Sequence, residues 1–216
     1  MNFKAFLAPV AFAAFVAASG VAVAGPAAYT TQASFLAAIS SVGVDTFDDL
    51  DVTTYGGPLN RTAGSYSYTA SVGPTSGIFY GASDDNVDIW LSSLVETDTI
   101  TFGNFSAGVR GVGGFFFGSD EFGFSTAATS LTITATDASG TTTQLLLKPS
   151  TTSFLGFVST GALTSLTVSS GQAGVFPTLN NLTLGSAVAT VPEPETYALM
   201  LGGLGLLGWM ARRCTA

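Results

Sequence analysis

Two clusters of acidic side chains are the residues whose types and spacing best suit a chemical role. Carboxylate and amide oxygens are the ligands that Ca²⁺ prefers, and the ion takes six to eight of them. Neither cluster fits the EF-hand loop, because the central glycine and the closing glutamate are absent. We interpret the following residues as candidate ligands of a structural Ca²⁺: Asp84, Asp85, Asn86 and Asp88 in one cluster, with Asp120 and Glu121 added from further along the chain, and Asp45, Asp48, Asp49 and Asp51 in the other.

The same carboxylates admit two other interpretations. Aspartate is a common turn former, so the clusters also fit solvated acidic loops. A pair of carboxylates can serve as the acid and base of a glycosidase, provided that a cleft holds them in place. Trp90 and Tyr80 flank the cluster at Asp84–Asp88 in the sequence and are candidates for stacking on sugar rings, although Trp90 also suits a position half in the core.

The lack of other reactive side chains excludes several classes of function. The chain has no histidine, and its one cysteine, Cys214, lies at the C-terminal end. A Ser-His-Asp or Cys-His catalytic site, a zinc site built on Cys and His, and a disulfide-stapled scaffold are therefore excluded. Residues 25–190 carry three basic and twelve acidic side chains, a net charge of −9. This charge repels phosphate backbones and excludes nucleic-acid binding.

Alternation of apolar and hydroxyl residues indicates that strands position these candidates. In Leu131–Thr136 apolar side chains alternate with threonines, and Ala138-Ser139-Gly140 then predicts a hairpin turn. One short N-terminal helix is predicted at Gln32–Ser40, after a threonine cap. About ten short strands at this spacing predict an all-β fold, an antiparallel two-layer β-sandwich of jelly-roll type. The predicted strands are Val44–Phe47, Ser65–Val72, Gly77–Tyr80, Val87–Leu91, Asp98–Phe105, Val109–Phe117, Ser130–Asp137, Thr141–Leu147, Ser153–Ser159, Leu163–Ser169 and Gly174–Leu184.

Three consecutive phenylalanines, Phe115, Phe116 and Phe117, lie in a glycine-rich strand. Successive side chains of a strand point to opposite faces, so these rings require cover on both sides of the sheet. The run predicts a central strand packed into the core; the alternative is an exposed aromatic platform for sugar rings. Pro177 argues against a central position for the start of the last strand, because proline suits only an edge or a bulge.

The N-terminus has the three-part pattern of a secretory signal peptide. A lysine precedes the apolar run Ala5–Ala18, and the small residues Ala22 and Ala24 favour cleavage before Gly25. A permanent membrane anchor is the alternative, but the run is short against the roughly 20 residues that a span requires. We predict a signal helix within residues 1–24 that signal peptidase removes.

The C-terminus combines a proline-containing motif, an apolar stretch and an arginine pair. Tyr197–Ala211 is uncharged and would extend about 22 Å as a helix, against a hydrocarbon core of about 30 Å. This hydrophobic helix is a marginal span, and the arginines hold its end in the cytoplasm. We predict a sorting and transmembrane tail over residues 191–216, preceded by a sandwich domain over residues 25–190. The motif residues are Val191, Pro192, Glu193, Pro194, Glu195, Thr196, Arg212 and Arg213.

Pro192-Glu193-Pro194, followed by an apolar glycine-containing stretch and an arginine cluster, resembles the PEP-CTERM sorting signal of Gram-negative bacteria. The resemblance implies an exosortase, a membrane transpeptidase-like enzyme, that removes the tail in bacteria making exopolysaccharide and biofilm. Glu195 stands where the family commonly has serine, and Cys214 after the arginines is a second departure. An ordinary single-pass anchor and a eukaryotic GPI signal are the alternatives, and the arginine pair argues against the GPI signal.

Four phrases of the body are similar to those of PEP-CTERM cargo domains, which resemble lectin-like or carbohydrate-binding-module-like sandwiches. They are Ala33–Ala38, Asp45–Leu50, Phe154–Phe157 and Leu179–Gly185, where related chains often have aspartate in place of Asn180. The resemblance implies a noncatalytic surface or exopolysaccharide-matrix protein with a glycan-binding body. The alternatives are a structural or adhesive surface protein without sugar specificity, and a carboxylate-based polysaccharide hydrolase or lyase.

The two ends together predict an exported protein. Transient insertion of the tail gives an inner-membrane intermediate, from which the protein passes to the cell surface or extracellular matrix. Signal peptidase and exosortase are the expected processing partners, and exopolysaccharide is the expected partner of the body.

Overall fold

The computed structural model describes residues 25–188 and 200–204. Residues 200–204 are helical and exposed. Outside them, the described chain forms fifteen strands and one short helix. In chain order these are β1 (Ala27–Tyr29), α1 (Gln32–Ala38), β2 (Ile39–Asp45), β3 (Thr54–Gly56), β4 (Leu59–Ala63), β5 (Tyr66–Gly73), β6 (Ile78–Ala82), β7 (Trp90–Ser93), β8 (Thr99–Gly103), β9 (Gly111–Ser119), β10 (Ser125–Thr126), β11 (Ser130–Asp137), β12 (Thr141–Leu147), β13 (Phe154–Val158), β14 (Leu163–Ser169) and β15 (Phe176–Ala187).

The strands form two antiparallel sheets packed face to face, which confirms the predicted two-layer sandwich. The nine-stranded sheet has the order β1-β13-β9-β15-β7-β6-β3, with β10 beside β9 and β2 beside β15. The six-stranded sheet has the order β12-β11-β14-β8-β5-β4. The apolar side of each alternating strand points into the space between the sheets, so the main core includes Ile100, Phe102, Val112, Phe116, Leu131, Ile133, Leu166 and Leu179.

Strand β9 lies between β13 and β15, and its three phenylalanines are covered on both faces as predicted. Phe116 is fully buried in the main core. Phe115 and Phe117 point to the opposite face. There Phe115 packs against Phe154 with ring centroids 5.5 Å apart, and Phe117 meets Trp90 edge-on at 4.8 Å. The run is therefore core rather than an exposed sugar platform.

Strand β15 is central along most of its length, whereas its start is paired on one side only, as Pro177 predicted. One side pairs with β9 along most of the strand, and the other pairs first with β7 and then with β2. The ladder with β7 begins only at Thr178, so at Pro177 just one neighbouring strand is paired. A register shift at Asn180, with Asn181 at φ 54°, marks the change of partner.

Three predicted strands, β11, β12 and β14, have the bounds read from the sequence, and the hairpin between β11 and β12 is confirmed. The other eight predicted strands differ from the observed ones at one or both ends, and β1, β3, β4 and β10 were not predicted. Two of the differences have a clear physical reason. The helix ends at Ala38 rather than Ser40, because Ile39 already pairs with Ala187 in the sheet. Strand β7 begins at Trp90 rather than Val87, because the preceding N–H groups bond to a side chain within the loop.

The predicted signal helix lies outside the described residues, as does most of the predicted tail. Within residues 25–188 and 200–204, no helix is long and apolar enough to cross a membrane.

Candidate functional site

The acidic cluster that comes first in the chain, Asp45, Asp48, Asp49 and Asp51, is organised around Arg61, a largely buried arginine from β4. Arg61 Nε and Nη2 donate to the two carboxylate oxygens of Asp45, each at 2.7 Å. Tyr68 Oη and the Phe47 N–H donate to the same carboxylate at 2.6 and 3.1 Å. The guanidinium lies over the Phe47 ring, 5.1 Å from its centroid. The Asp45 side chain is thus fully engaged in a structural ion pair.

Asp49 extends this ion pair toward solvent. Arg61 Nη1 and Nη2 donate to its two oxygens at 3.1 and 2.5 Å, and this bonding lowers the pKa of Asp49. Burial alone would lower the pKa of Arg61, but its bonds to the two carboxylates outweigh burial and raise it. Burial, followed by the charge of Asp45, raises the pKa of Tyr68. The guanidinium is therefore a permanent cation that is shared by two carboxylates, and the three groups together keep a net charge of −1.

The other two members of the first cluster make different contacts, Asp48 through its side chain and Asp51 through its backbone. Asp48 Oδ1 accepts from the Ile89 N–H at 3.2 Å and so joins this loop to the second cluster. The Asp51 N–H donates to Tyr55 Oη at 2.6 Å. The four aspartates therefore do not converge on one point.

The second cluster lies in the loop between β6 and β7. Asp85 Oδ1 accepts from the N–H groups of Val87 and Asp88 at 2.9 and 3.1 Å, and these bonds lower the pKa of Asp85. Ser83 Oγ accepts from the Asn86 N–H at 2.8 Å. The aspartates thus serve as turn formers here, and this is the reason that β7 starts late.

A second loop, between β9 and β10, packs against the first. Asp120 Oδ1 accepts from the N–H groups of Phe122 and Phe124 at 2.9 and 3.0 Å. The two loops are joined because Asp84 accepts from the Ser125 N–H and Oγ at 2.8 and 2.7 Å. We call these segments, residues 83–89 and 120–125, the acidic end of the sandwich.

Gly123 makes the contact between the two loops possible. Its carbonyl accepts from the Ser83 N–H at 3.0 Å, and its φ of +87° is a conformation that side chains rarely adopt. A Cβ at this position would lie 2.6 Å from the ring of Tyr80. Hydrogen bonds and Gly123 therefore hold the loop of residues 120–125 close to the sheet. A larger residue at position 123 would strain the backbone and meet the ring of Tyr80.

Two aromatic side chains at the acidic end are exposed to solvent. Phe122 is 66% exposed and Phe124 50%, and Val87 on the facing loop is also exposed. The same two loops carry four exposed carboxylates, those of Asp84, Asp85, Asp88 and Glu121. These phenylalanines were not among the predicted site residues. The signal available was the pair of aromatic residues flanking a glycine beside an acidic pair.

The predicted stacking residues take different positions in the fold. Trp90 is only 4% exposed, because its ring packs edge-on against Phe117 below the surface, so the stacking role predicted for it is not available. Tyr80 is half-buried and packs beside the same cluster. The accessible rings belong instead to the loop after β9.

The predicted calcium ligands are brought into two neighbouring loops but not into one coordination sphere. Within the part of the chain that the structure describes, no group of three acidic, histidine or cysteine side chains is arranged to hold a metal ion. Asp88, for example, accepts from Asn180 Nδ2 at 2.8 Å rather than meeting another carboxylate. The geometry gives the calcium hypothesis no support, and it stays a prediction.

Four carboxyl groups have the opposite of the raised pKa that a glycosidase acid requires. The pKa values of Asp49, Asp85, Asp98 and Asp137 are all lowered. Burial of Asp98 would raise its pKa, but the N–H groups of Thr75 and Ser76 donate to it and outweigh burial. These groups stay ionised and act as hydrogen-bond acceptors.

Comparison with known proteins gives little information on the body of the chain. No curated protein matches it. Among solved structures, the chain is similar to an exo-β-1,3-galactanase from Phanerochaete chrysosporium in complex with galactose, at 16% identity and a TM-score of 0.30. The similarity covers 60% of this chain but only 29% of the galactanase chain, and it carries no argument about activity.

The C-terminal region is more informative. Residues 190–213 match the PEP-CTERM protein-sorting motif. The match includes the Pro-Glu-Pro sequence, the apolar stretch and the arginine pair that carried the resemblance in the sequence. A motif of this kind implies export, processing by an exosortase and sorting to the cell surface. The chain therefore consists of a two-layer β-sandwich followed by a PEP-CTERM protein-sorting motif.

Proposed function

We propose that this protein is a noncatalytic component of the cell surface or exopolysaccharide matrix, and that the acidic end of its sandwich binds a neutral polysaccharide. The observation that carries the proposal is the pair of exposed rings, Phe122 and Phe124, on a loop held by side-chain and backbone hydrogen bonds. A rigid loop loses little conformational freedom on binding, so its contact area contributes to affinity.

The residue types at the acidic end match the chemistry of a sugar. The apolar face of a pyranose ring packs on an aromatic ring, and its hydroxyl groups donate to carboxylate oxygens. Exposed carboxylates stand beside both phenylalanines, notably Asp84 and Glu121. A ligand of this class needs no cofactor. The lowered pKa values of Asp49, Asp85, Asp98 and Asp137 do not favour acid catalysis by these groups.

The charge of the protein selects among polysaccharides. Five acidic residues belong to the acidic end, in a body with a net charge of −9. An anionic polymer is repelled by this field, whereas a neutral one is not. Binding should therefore change little between low and high salt, because no counter-ions are released.

The test uses the exported protein with neutral and anionic polysaccharides from matrix-forming bacteria, immobilised for a binding assay. Exposed rings of this size contribute about 1–2 kcal/mol each when a ligand covers them, so Phe122→Ala or Phe124→Ala should weaken binding roughly tenfold. Val42→Ala, an exposed apolar residue on β2, is the control and should bind as the wild type does.

Two outcomes would contradict the proposal. One is that the wild-type protein binds no neutral polysaccharide, which would favour a structural or adhesive protein without sugar specificity. The other is equal binding by the wild type and the Phe122→Ala/Phe124→Ala double variant. Release of new reducing ends during the assay would favour the hydrolase alternative instead.

A further inference from the structure

Within the part of the chain that the structure describes, strand β12 is a long open edge. This strand lies at the end of the six-stranded sheet and pairs only with β11. The hairpin places Asp137 opposite Gly140, and the Lys148 N–H again bonds back to Thr129. Because hydrogen-bonded residues alternate along an antiparallel pair, the even-numbered residues of β12 bond to β11. Thr141, Thr143, Leu145 and Leu147 therefore direct their backbone N–H and C=O groups away from the sheet.

Three other sheet edges of the described chain are protected. Strands β1 and β3, at the ends of the larger sheet, have three residues each. Strand β4 contains Arg61, and β2 crosses it so closely that a Cβ on Gly43 would lie 2.0 Å from the Ala63 carbonyl oxygen. Short, charged or covered edges are the usual protection against pairing with another chain.

Strand β12 has none of these protections. Its seven residues, Thr141–Leu147, include no charge, proline or bulge. Gly25 packs beside Thr141 and Thr142, and β1 lies near β12 without pairing with it, so Thr143–Leu147 is the part of the edge that can still pair. Within that part Leu145 is 58% exposed and Leu147 68%. An edge of this kind is a template for another extended strand.

We propose that β12 pairs with β12 of a second copy of this chain, so that two six-stranded sheets join into one. A two-fold axis through Leu145 places this residue opposite its own copy, and Thr143 opposite Leu147 of the second copy. All three residues have free backbone groups, so the register forms about six hydrogen bonds. It also places Leu145 against its own copy, since directly opposite residues on one sheet face contact each other.

Charge favours a second copy at this place rather than elsewhere on the surface. Two bodies with a net charge of −9 repel each other, but Thr143–Leu147 carries no acid, and the residue that follows the strand is Lys148. In the proposed register each lysine lies beside the uncharged strand of the other copy. The edge is thus a part of the surface where two copies meet without opposing carboxylates.

Sedimentation of the exported protein over a concentration series tests the proposal, with detergent present to exclude contacts through any remaining tail. We expect the mass to double as concentration rises, and Leu145→Lys/Leu147→Lys to remain monomeric, because the register opposes like charges at the axis. Thr62→Lys, which adds a lysine on β4, should dimerise like the wild type. Melting curves establish that each variant is folded.

A cross-linking experiment tests the register itself. In a Cys214→Ser background, Leu145→Cys should give a covalent dimer with a short bis-maleimide, and Thr62→Cys should not. A monomeric mass up to about 1 mM protein would overturn the proposal. Dimerisation that survives Leu145→Lys/Leu147→Lys, or a lack of cross-linking by Leu145→Cys, would overturn it as well.

Discussion

Replacement of Arg61 by methionine tests whether the first acidic cluster is a structural ion pair. The Arg61 and Asp45 side chains are 11% and 4% exposed, and they share two bonds of 2.7 Å. Methionine keeps the apolar packing over Phe47 but leaves Asp45 as a buried anion without its cation. Tyr68 Oη and the Phe47 N–H still donate to this carboxylate, but neither carries a positive charge.

The expected loss in the free energy of unfolding follows from the burial of the Arg61–Asp45 ion pair. Removal of one partner from a buried ion pair costs about 3–5 kcal/mol. Asp49 adds little, because its side chain is 68% exposed and an exposed pair contributes about 0–1 kcal/mol. For a domain of this size the loss corresponds to a fall in melting temperature on the order of 10 °C. Arg110→Met, on an exposed arginine, is the matched control and should cost under about 1 kcal/mol.

Denaturant unfolding of the wild type, Arg61→Met, Asp45→Asn and the double variant measures this coupling. We expect the double variant to lose less stability than the sum of the single changes, because no unpaired charge remains in it. Additive losses, or an Arg61→Met variant within about 1 kcal/mol of the wild type, would refute the ion-pair reasoning.

Three further predictions concern acid stability, calcium and the tail. The lowered pKa of Asp98 means that its contribution to stability is present above pH about 4 and is lost as pH falls through the folded-state pKa. Asp98→Asn should therefore cost about 1–3 kcal/mol of stability at pH 7. The difference in stability between this variant and the wild type should shrink when unfolding is measured in acid. If Ca²⁺ binds either acidic cluster, the melting temperature will be higher in Ca²⁺ than in EDTA, and coincident curves would remove that hypothesis. Mass spectrometry of surface-released protein should find a C-terminus near Pro192–Thr196 and no Tyr197–Ala216 peptide, whereas an intact tail would indicate a permanent anchor.

Local patterns in the sequence were enough to predict the sandwich class and several strands. In Ser130–Asp137 and Thr141–Leu147 the alternation and the turn between them are properties of adjacent residues, so both strands and their hairpin were predicted with the observed bounds. Val87–Leu91 was a less successful prediction. Its alternation suits a strand, but Asp85 bonds to the N–H groups of Val87 and Asp88 and forms a turn.

In the candidate site, too, some features depend on adjacent residues and others on contacts between distant segments. The acidic loops were recognised from composition, but their roles depend on partners distant in the sequence. Arg61 lies sixteen residues from Asp45, and Ser125 lies forty-one from Asp84. Trp90 was a reasonable stacking candidate until the sheet placed Phe117 against it. No local pattern reports which aromatic ring the fold will cover.

The sequence by itself determined where the protein is sent. An exosortase signal is read as a short linear segment, so residues 190–213 carry that information without the fold. It also determined the β class and the exclusion of histidine and cysteine chemistry. Only the tertiary structure decided that Phe122 and Phe124 are exposed while Phe115–Phe117 are packed, and that β12 is an open edge. Burial and strand neighbours depend on contacts between segments far apart in the chain, and periodicity does not specify those contacts.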